Sequence, residues 1–155
     1  DVLTFETDRL EDDTEGTGDV MIKLWVSSTA FDTDFTVKLI DVYPASDDYP
    51  EGYHLNLTDT ILRARYRDSW TKPKMMSPGE PVEISIQLWP ISNVFKKGHR
   101  IRLDVSSSNF PRFDVNPNTG EPVGRHAKMI KADNTIHTGA NHASRIVLPI
   151  IPTAE

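Results

Sequence analysis

Three groups of residues in this chain of 155 residues have types and spacings that could do chemistry: a run of hydroxyls, a close pair of histidines and a set of acids. Ser106, Ser107 and Ser108 offer a nucleophile, but a serine hydroxyl attacks only when a neighbouring base eases loss of its proton. The nucleophile elbow that exposes such a serine reads Gly-x-Ser-x-Gly at a strand-to-helix turn. Gly120 and Gly124 are the only glycines four apart, and Pro122 stands where the serine would be. The three serines are therefore expected to bond to backbone at a strand end. His137 and His142 are five apart, with no third ligand spaced to complete a metal site. Asp32 and Asp34, with Asp8, Glu11, Asp12 and Asp13, carry hard oxygens of the kind calcium takes six or more at a time. The competing reading has Asp34 capping its loop and paired with an arginine, from Arg63, Arg65 or Arg112. Trp25, Trp70 and Trp89 are either a sugar-stacking platform or buried packing residues. Asn56-Leu57-Thr58 fits a glycosylation acceptor, a short pattern frequent by chance.

Such side chains need a frame, and the strongest frame is Gly98 to Gly120. Ile101, Leu103 and Val105 alternate with Arg102, Asp104 and Ser106, the period of a half-buried strand. Phe110-Pro111 ends the ladder because proline has no N–H, and Asn116-Pro117-Asn118-Thr119-Gly120 is a turn with its own side-chain caps. Around the strand end, His99, Arg100, Arg102, Asn109 and Arg112 can anchor carboxylates and carbonyls. Asp34, Arg63, Arg65, His99, Arg100, Asn109 and Arg112 are together read as a structural clamp. No catalytic residue and no cofactor is assigned; calcium at Asp32 and Asp34 is the one metal reading kept open.

The remaining strands are expected at Val2 to Phe5, Asp19 to Ser28, Phe35 to Tyr43, around Tyr53 to Leu55, Ile61 to Tyr66, Val82 to Leu88, Ala127 to Ala132, Thr135 to His137 and Arg145 to Pro149. Residues 6 to 18 read as an acidic link, Ser77-Pro78-Gly79-Glu80 as a tight turn and Ser92 to Phe95 as one helical turn. Nine or ten short strands with no helix of 10 to 12 residues point to an all-β jelly-roll sandwich of antiparallel strands.

Length bounds the chain to one domain, 1–155, able to bury roughly 70% of its unfolded surface. The 37% hydrophobic and 26% charged residues suit a soluble protein, and no run approaches the roughly 20 apolar residues of a membrane span. Net charge is −6, against the basic face a nucleic-acid binder needs. The absence of cysteine removes disulfides and thiolate chemistry. The first residues have neither the basic nor the apolar region of a signal peptide. The compartment stays open, with the cytoplasm favoured.

Several blocks, in order, resemble the C-terminal domain of the X-Pro dipeptidyl-peptidase and cocaine esterase family of serine hydrolases. They include Asp32-Thr33-Asp34-Phe35, Leu62-Arg63-Ala64-Arg65-Tyr66-Arg67, Gly98-His99-Arg100 and Ser106-Ser107-Ser108-Asn109-Phe110-Pro111-Arg112 with Asn118-Thr119-Gly120. Ile136-His137 and Ser144-Arg145-Ile146-Val147-Leu148-Pro149 agree as well, while Ala143 stands where relatives commonly have proline. The resemblance implies a jelly roll like galactose-binding modules that follows an α/β-hydrolase domain holding the Ser-His-Asp machinery. It implies a partner, that hydrolase domain in the same polypeptide, and a non-catalytic, supporting role on ester- or amide-cleaving chemistry. A homo-oligomer through an edge strand is a further expected partner. The rival reading is a free-standing carbohydrate-binding module built on the tryptophans.

Overall fold

The computed structural model describes residues 1–122 and 124–152. Ten strands run through them: β1 (Val2–Glu6), β2 (Thr14–Gly18), β3 (Met21–Ser28), β4 (Asp34–Tyr43), β5 (Tyr53–Arg63), β6 (Val82–Gln87), β7 (Ile91–Phe95), β8 (Arg100–Ser106), β9 (Asn134–His137) and β10 (Arg145–Val147). The only helical element among the described residues is a 3-10 turn, Ala64–Tyr66. One sheet has the order β1-β8-β4-β5; a second has β10-β3-β6, with β9 also on β3; β2 and β7 form a ribbon. Every pairing is antiparallel. The architecture is an all-β jelly-roll sandwich.

Period-2 alternation explains how the layers meet. Phe35, Val37 and Leu39 of β4 and Leu103 and Val105 of β8 face inward, against Ile22, Leu24 and Val26 of β3 and Ile84 and Ile86 of β6, all buried in one core. The opposite face of the first sheet carries Lys38, Asp59, Arg102, Asp104 and Ser106. There Arg102 donates through Nε and Nη2 to both Asp104 oxygens (2.7 and 3.1 Å), which holds its guanidinium above the usual arginine value despite partial burial.

The expected strands hold at β1, β3, β4, β6, β8, β9 and β10 within a few residues, and four regions differ. The link expected over 6 to 18 ends in β2, because Gly16 lies close enough to Ile91 and Phe95 (3.4 and 3.6 Å from where a Cβ would stand) to pair flat against β7. The helical turn expected over Ser92 to Phe95 is that partner strand: Ile91 and Phe95 are both buried, but Asn93, not an apolar residue, is the inward position between them. The two strands expected near Tyr53 and Ile61 are one strand, β5, whose register on β4 shifts at Leu39/Ile40. The chain then turns at Ala64–Tyr66 instead of continuing as strand. Ala127 to Ala132 is irregular, its backbone tied by Ile130 N–H to the Pro117 carbonyl at 3.0 Å. The turn at Ser77 forms as expected, with Glu80 N–H donating to the Ser77 carbonyl at 3.1 Å and Gly79 at φ +80°.

Candidate functional site

The antiparallel topology gathers Asp1, the 29–33 loop, the segment after β5 and the long connection 107–133 at one end of the sandwich. At that end β4 begins, and Asp34 sits directly opposite Arg63 of β5. Arg63 donates from Nε to Asp34 Oδ1 (2.9 Å) and from Nη2 to Oδ2 (3.0 Å). This bidentate bond raises the arginine's pKa above its ordinary value, against the opposing effect of its partial burial. Asp32, fully buried, accepts the Arg65 backbone N–H at Oδ1 (2.9 Å) and Arg65 Nε at Oδ2 (2.8 Å). Asn116 Nδ2 then donates to both carboxylates, 2.8 Å to Asp32 Oδ2 and 2.7 Å to Asp34 Oδ1. Arg65 also reaches the Glu121 carbonyl at 3.1 Å. Every oxygen of the two carboxylates thus faces an N–H donor. The position a calcium ion would take between Asp32 and Asp34 is filled by guanidinium and amide groups, and no cluster of three or more metal-ligating acids or histidines occurs among the described residues.

The residues read together as a clamp divide into three places. Asp34, Arg63 and Arg65 are in the network above. Asn109 Nδ2 and Arg112 Nε both bond Asp59 Oδ2, at 3.2 and 2.9 Å, on the outer face of the first sheet. Arg112 therefore does not pair with Asp34. His99 and Arg100 are at the opposite end, because β8 runs antiparallel to β4 and its start meets the end of β4. There His99 Nδ1 lies 2.8 Å from Asp41 Oδ1 and Arg100 Nη1 donates to the Thr7 carbonyl at 2.7 Å. Asp41 is seven steps along β4 from Asp34, about 23 Å at ~3.3 Å per residue. Asp41, Asp59 and Asn116, which complete these groups, carried no signal as partners in the sequence beyond the turn at Asn116.

Two of the three hydroxyl candidates, Ser106 and Ser107, are engaged. Ser106 Oγ donates to the Asp1 carbonyl at 2.9 Å, and Ser107 Oγ accepts from Asn134 Nδ2 at 2.7 Å. A serine–histidine pair that the spacing did not reveal lies elsewhere, with Ser27 Oγ 2.9 Å from His137 Nε2. Ser27 is buried within β3, closed to an incoming substrate. His137 and His142 rings are 5.6 Å apart, and His142 packs on Trp25 at 4.6 Å. Trp70 and Trp89 are 77% and 71% exposed and border a groove of about 600 Å³ between β5 and β6. No helix among the described residues is long and apolar enough to cross a membrane.

What the fold and these groups define is a jelly-roll β domain stapled by buried ion pairs, with the hydroxyls of Ser27, Ser106 and Ser107 committed to structure. The chain belongs to the family described as the X-Pro dipeptidyl-peptidase C-terminal non-catalytic domain, which matches residues 1–147. It is 48% identical over 153 residues to the cocaine esterase of Rhodococcus sp. (strain MB1 Bresler), covering 97% of this chain and 26% of that protein. A solved structure of an α-amino acid ester hydrolase superposes with a TM-score of 0.92 at 34% identity, covering 97% of this chain and 26% of the other. An aminopeptidase from a Thaumarchaeota archaeon gives the same TM-score at 33% identity, covering 98% and 26%. The chain spans about a quarter of the length of each.

Proposed function

We propose that this chain is the non-catalytic C-terminal domain of a serine hydrolase cleaving ester or amide bonds, and that it packs on and supports an α/β-hydrolase domain of the same polypeptide. One observation carries the reading: nearly the whole chain matches a family described as non-catalytic and C-terminal, yet accounts for about a quarter of each relative. The committed state of Ser106, Ser107 and Ser27 agrees with chemistry housed elsewhere. The open edge of β5, an 11-residue strand whose pairing among the described residues is with β4, would also accept a second copy of the chain.

Two measurements test this. The gene upstream of Asp1 is expected to encode roughly 300 to 450 residues, by the usual 100 to 200 residues per domain, containing Gly-x-Ser-x-Gly. The purified chain is expected to hydrolyse an activated ester no faster than its Ser107→Ala and Ser27→Ala variants. Turnover lost in either variant would make this chain the enzyme and end the proposal.

A further inference from the structure

We infer that the groove between β5 and β6 is a binding site for a neutral oligosaccharide, with Trp70 and Trp89 as its stacking surfaces. The inference is independent of the proposed function, since it concerns a surface of this domain and not the chemistry that accompanies it.

The first observation is where the tryptophans are. Trp25 is taken up in packing against His142, whereas Trp70 and Trp89 are both largely exposed and border one groove. They reach it from different elements: Trp70 follows the 3-10 turn at the end of β5, and Trp89 follows β6. Large aromatic side chains left in water around one hollow mark an interaction surface or a ligand groove. The volume of about 600 Å³ falls within the ~300–1,000 Å³ of small-molecule sites.

The second observation is that both rings stand on fixed backbone. Leu88 is buried and its N–H donates to the Val20 carbonyl at 3.0 Å, and Pro90 holds the backbone of Trp89 extended. The loop carrying Trp70 is crossed at its base by Arg67, which donates through Nη1 to the Ala64 and Lys74 carbonyls and through Nη2 to the Met75 carbonyl. Ser69 Oγ accepts the N–H groups of Thr71 and Lys72 at 3.3 and 3.2 Å. A surface ordered in advance loses little entropy when a ligand arrives.

The polar part of the wall gives the ligand's class. It includes the side chains of Thr60, Ser85 and Gln87, neutral groups that both donate and accept, and the exposed carboxylate of Asp19. The other charged residues of the wall are committed, Arg67 to its three carbonyls and Asp68 to Lys74 at 3.0 Å. Lys23, opposite Ser85 in the register, lies outside the wall. The charge left free is therefore a single negative one, which disfavours phosphates, nucleic acids and acidic sugars. A neutral pyranose packs its C–H face on an aromatic ring. Its hydroxyls, donors and acceptors at once, match the amide and hydroxyls of the wall and donate to the carboxylate. A proline-rich peptide would use the rings and leave most of these polar groups without partners.

The test is calorimetric titration of the full-length protein with maltohexaose, cellohexaose, xylohexaose and mannohexaose at millimolar concentration, alongside hexagalacturonate, decaproline and choline. At least one neutral oligosaccharide is expected to bind saturably. Trp70→Ala and Trp89→Ala are each expected to weaken that binding roughly tenfold or more, and Asp19→Asn to weaken it as well. Tyr49→Ala, which alters an exposed aromatic side chain in the loop before β5, is expected to leave it unchanged. All four positions are exposed, and melting curves verify that each variant folds. Absence of saturable binding by every neutral oligosaccharide overturns the inference. Binding that survives either tryptophan substitution does so too, as does tighter binding of hexagalacturonate, decaproline or choline. In each of these cases the proposed function stands, because its own tests do not involve this groove.

Discussion

Asn116 donates to Asp34 Oδ1 at 2.7 Å while its second amide hydrogen reaches Asp32 at 2.8 Å. One neutral side chain thus sits between two buried carboxylates and satisfies both. Because it belongs to the long connection and the carboxylates to the start of β4 and the loop just before it, these bonds fix an irregular segment to the sheet. Hydrogen bonds to charged groups contribute about 1.5–3 kcal/mol each. Asn116→Ala is expected to lower stability by about 3 kcal/mol, read from the midpoint of urea unfolding, and Asn116→Asp by more because it adds a third negative charge. A loss below about 0.5 kcal/mol for Asn116→Ala would show that the network does not depend on it.

Asp32 and Arg65 form the deepest ion pair, 2.7 Å apart with both side chains buried. Removing one partner of such a pair leaves the other charge without compensation, at a cost of about 3–5 kcal/mol. Arg65→Met is expected to fall in that range, and Arg65→Met with Asp32→Leu to cost less than the two single changes summed. Additive losses in the double-mutant cycle would show that the pair is not coupled.

The same saturation of oxygens predicts indifference to calcium. A ligand at 100 times its Kd adds about 2.7 kcal/mol to stability, an effect easily seen in a melting curve. Millimolar calcium is expected to leave Tm where millimolar magnesium leaves it. A rise specific to calcium would place a cation site on this chain.

Burial pushes the Tyr43 phenol above its ordinary value of 10.0, with Asp41 adding to the shift. A folded-state value above the unfolded one means stability that is complete below pH 10 and declines as pH rises from there through the shifted value. Unfolding followed from pH 9 to 11 is therefore expected to show a shallower loss in Tyr43→Phe than in wild type. Identical slopes would remove Tyr43 from the alkaline transition.

Two glycines at φ +80° separate backbone strain from collision. At Gly79 a Cβ would meet no atom within 4 Å, whereas at Gly52 it would stand 2.7 Å from the Tyr43 carbonyl oxygen. Gly79→Ala is expected to cost about 1 kcal/mol for the left-handed conformation alone, and Gly52→Ala at least twice that in the same thermal melts. Equal costs would mean that the 44–52 loop relaxes freely.

The fold was legible wherever one face of a strand is uniformly apolar, as in Val82-Glu83-Ile84-Ser85-Ile86 or Ile101 to Val105. It was hidden wherever a polar residue occupies an inward position. Asn93 points to Asp41 (3.3 Å) and breaks the alternation of β7, so the spacing of Ile91 and Phe95 imitates a helical turn. In β5 the register shift beside Leu39 and Ile40 cuts one strand into two apparent pieces. At the candidate site, the sequence offers Arg63, Arg65 and Arg112 as partners for Asp34, and the register of β4 on β5 selects Arg63, which stands directly opposite. The separation of His99 from that group was not legible, since Gly98 to Gly120 is continuous in sequence while β8 carries its two ends to opposite ends of the sandwich. Asn116 was visible only as a turn residue, because nothing local marks a side chain whose partners lie more than 80 positions away.

The pairing of β3 sets a timetable for synthesis. Ile22 lies opposite Ile146, and Ser28 opposite Asn134, so one edge of the strand at the centre of the second sheet has no neighbour until more than 100 further residues have been made. At roughly 5–20 residues per second, that interval is at least about 5 to 20 seconds. During it Ile22, Leu24 and Val26 must remain available without pairing elsewhere. Residues 21–28 are therefore the segment whose unpaired strand edge stays open longest while the chain is made.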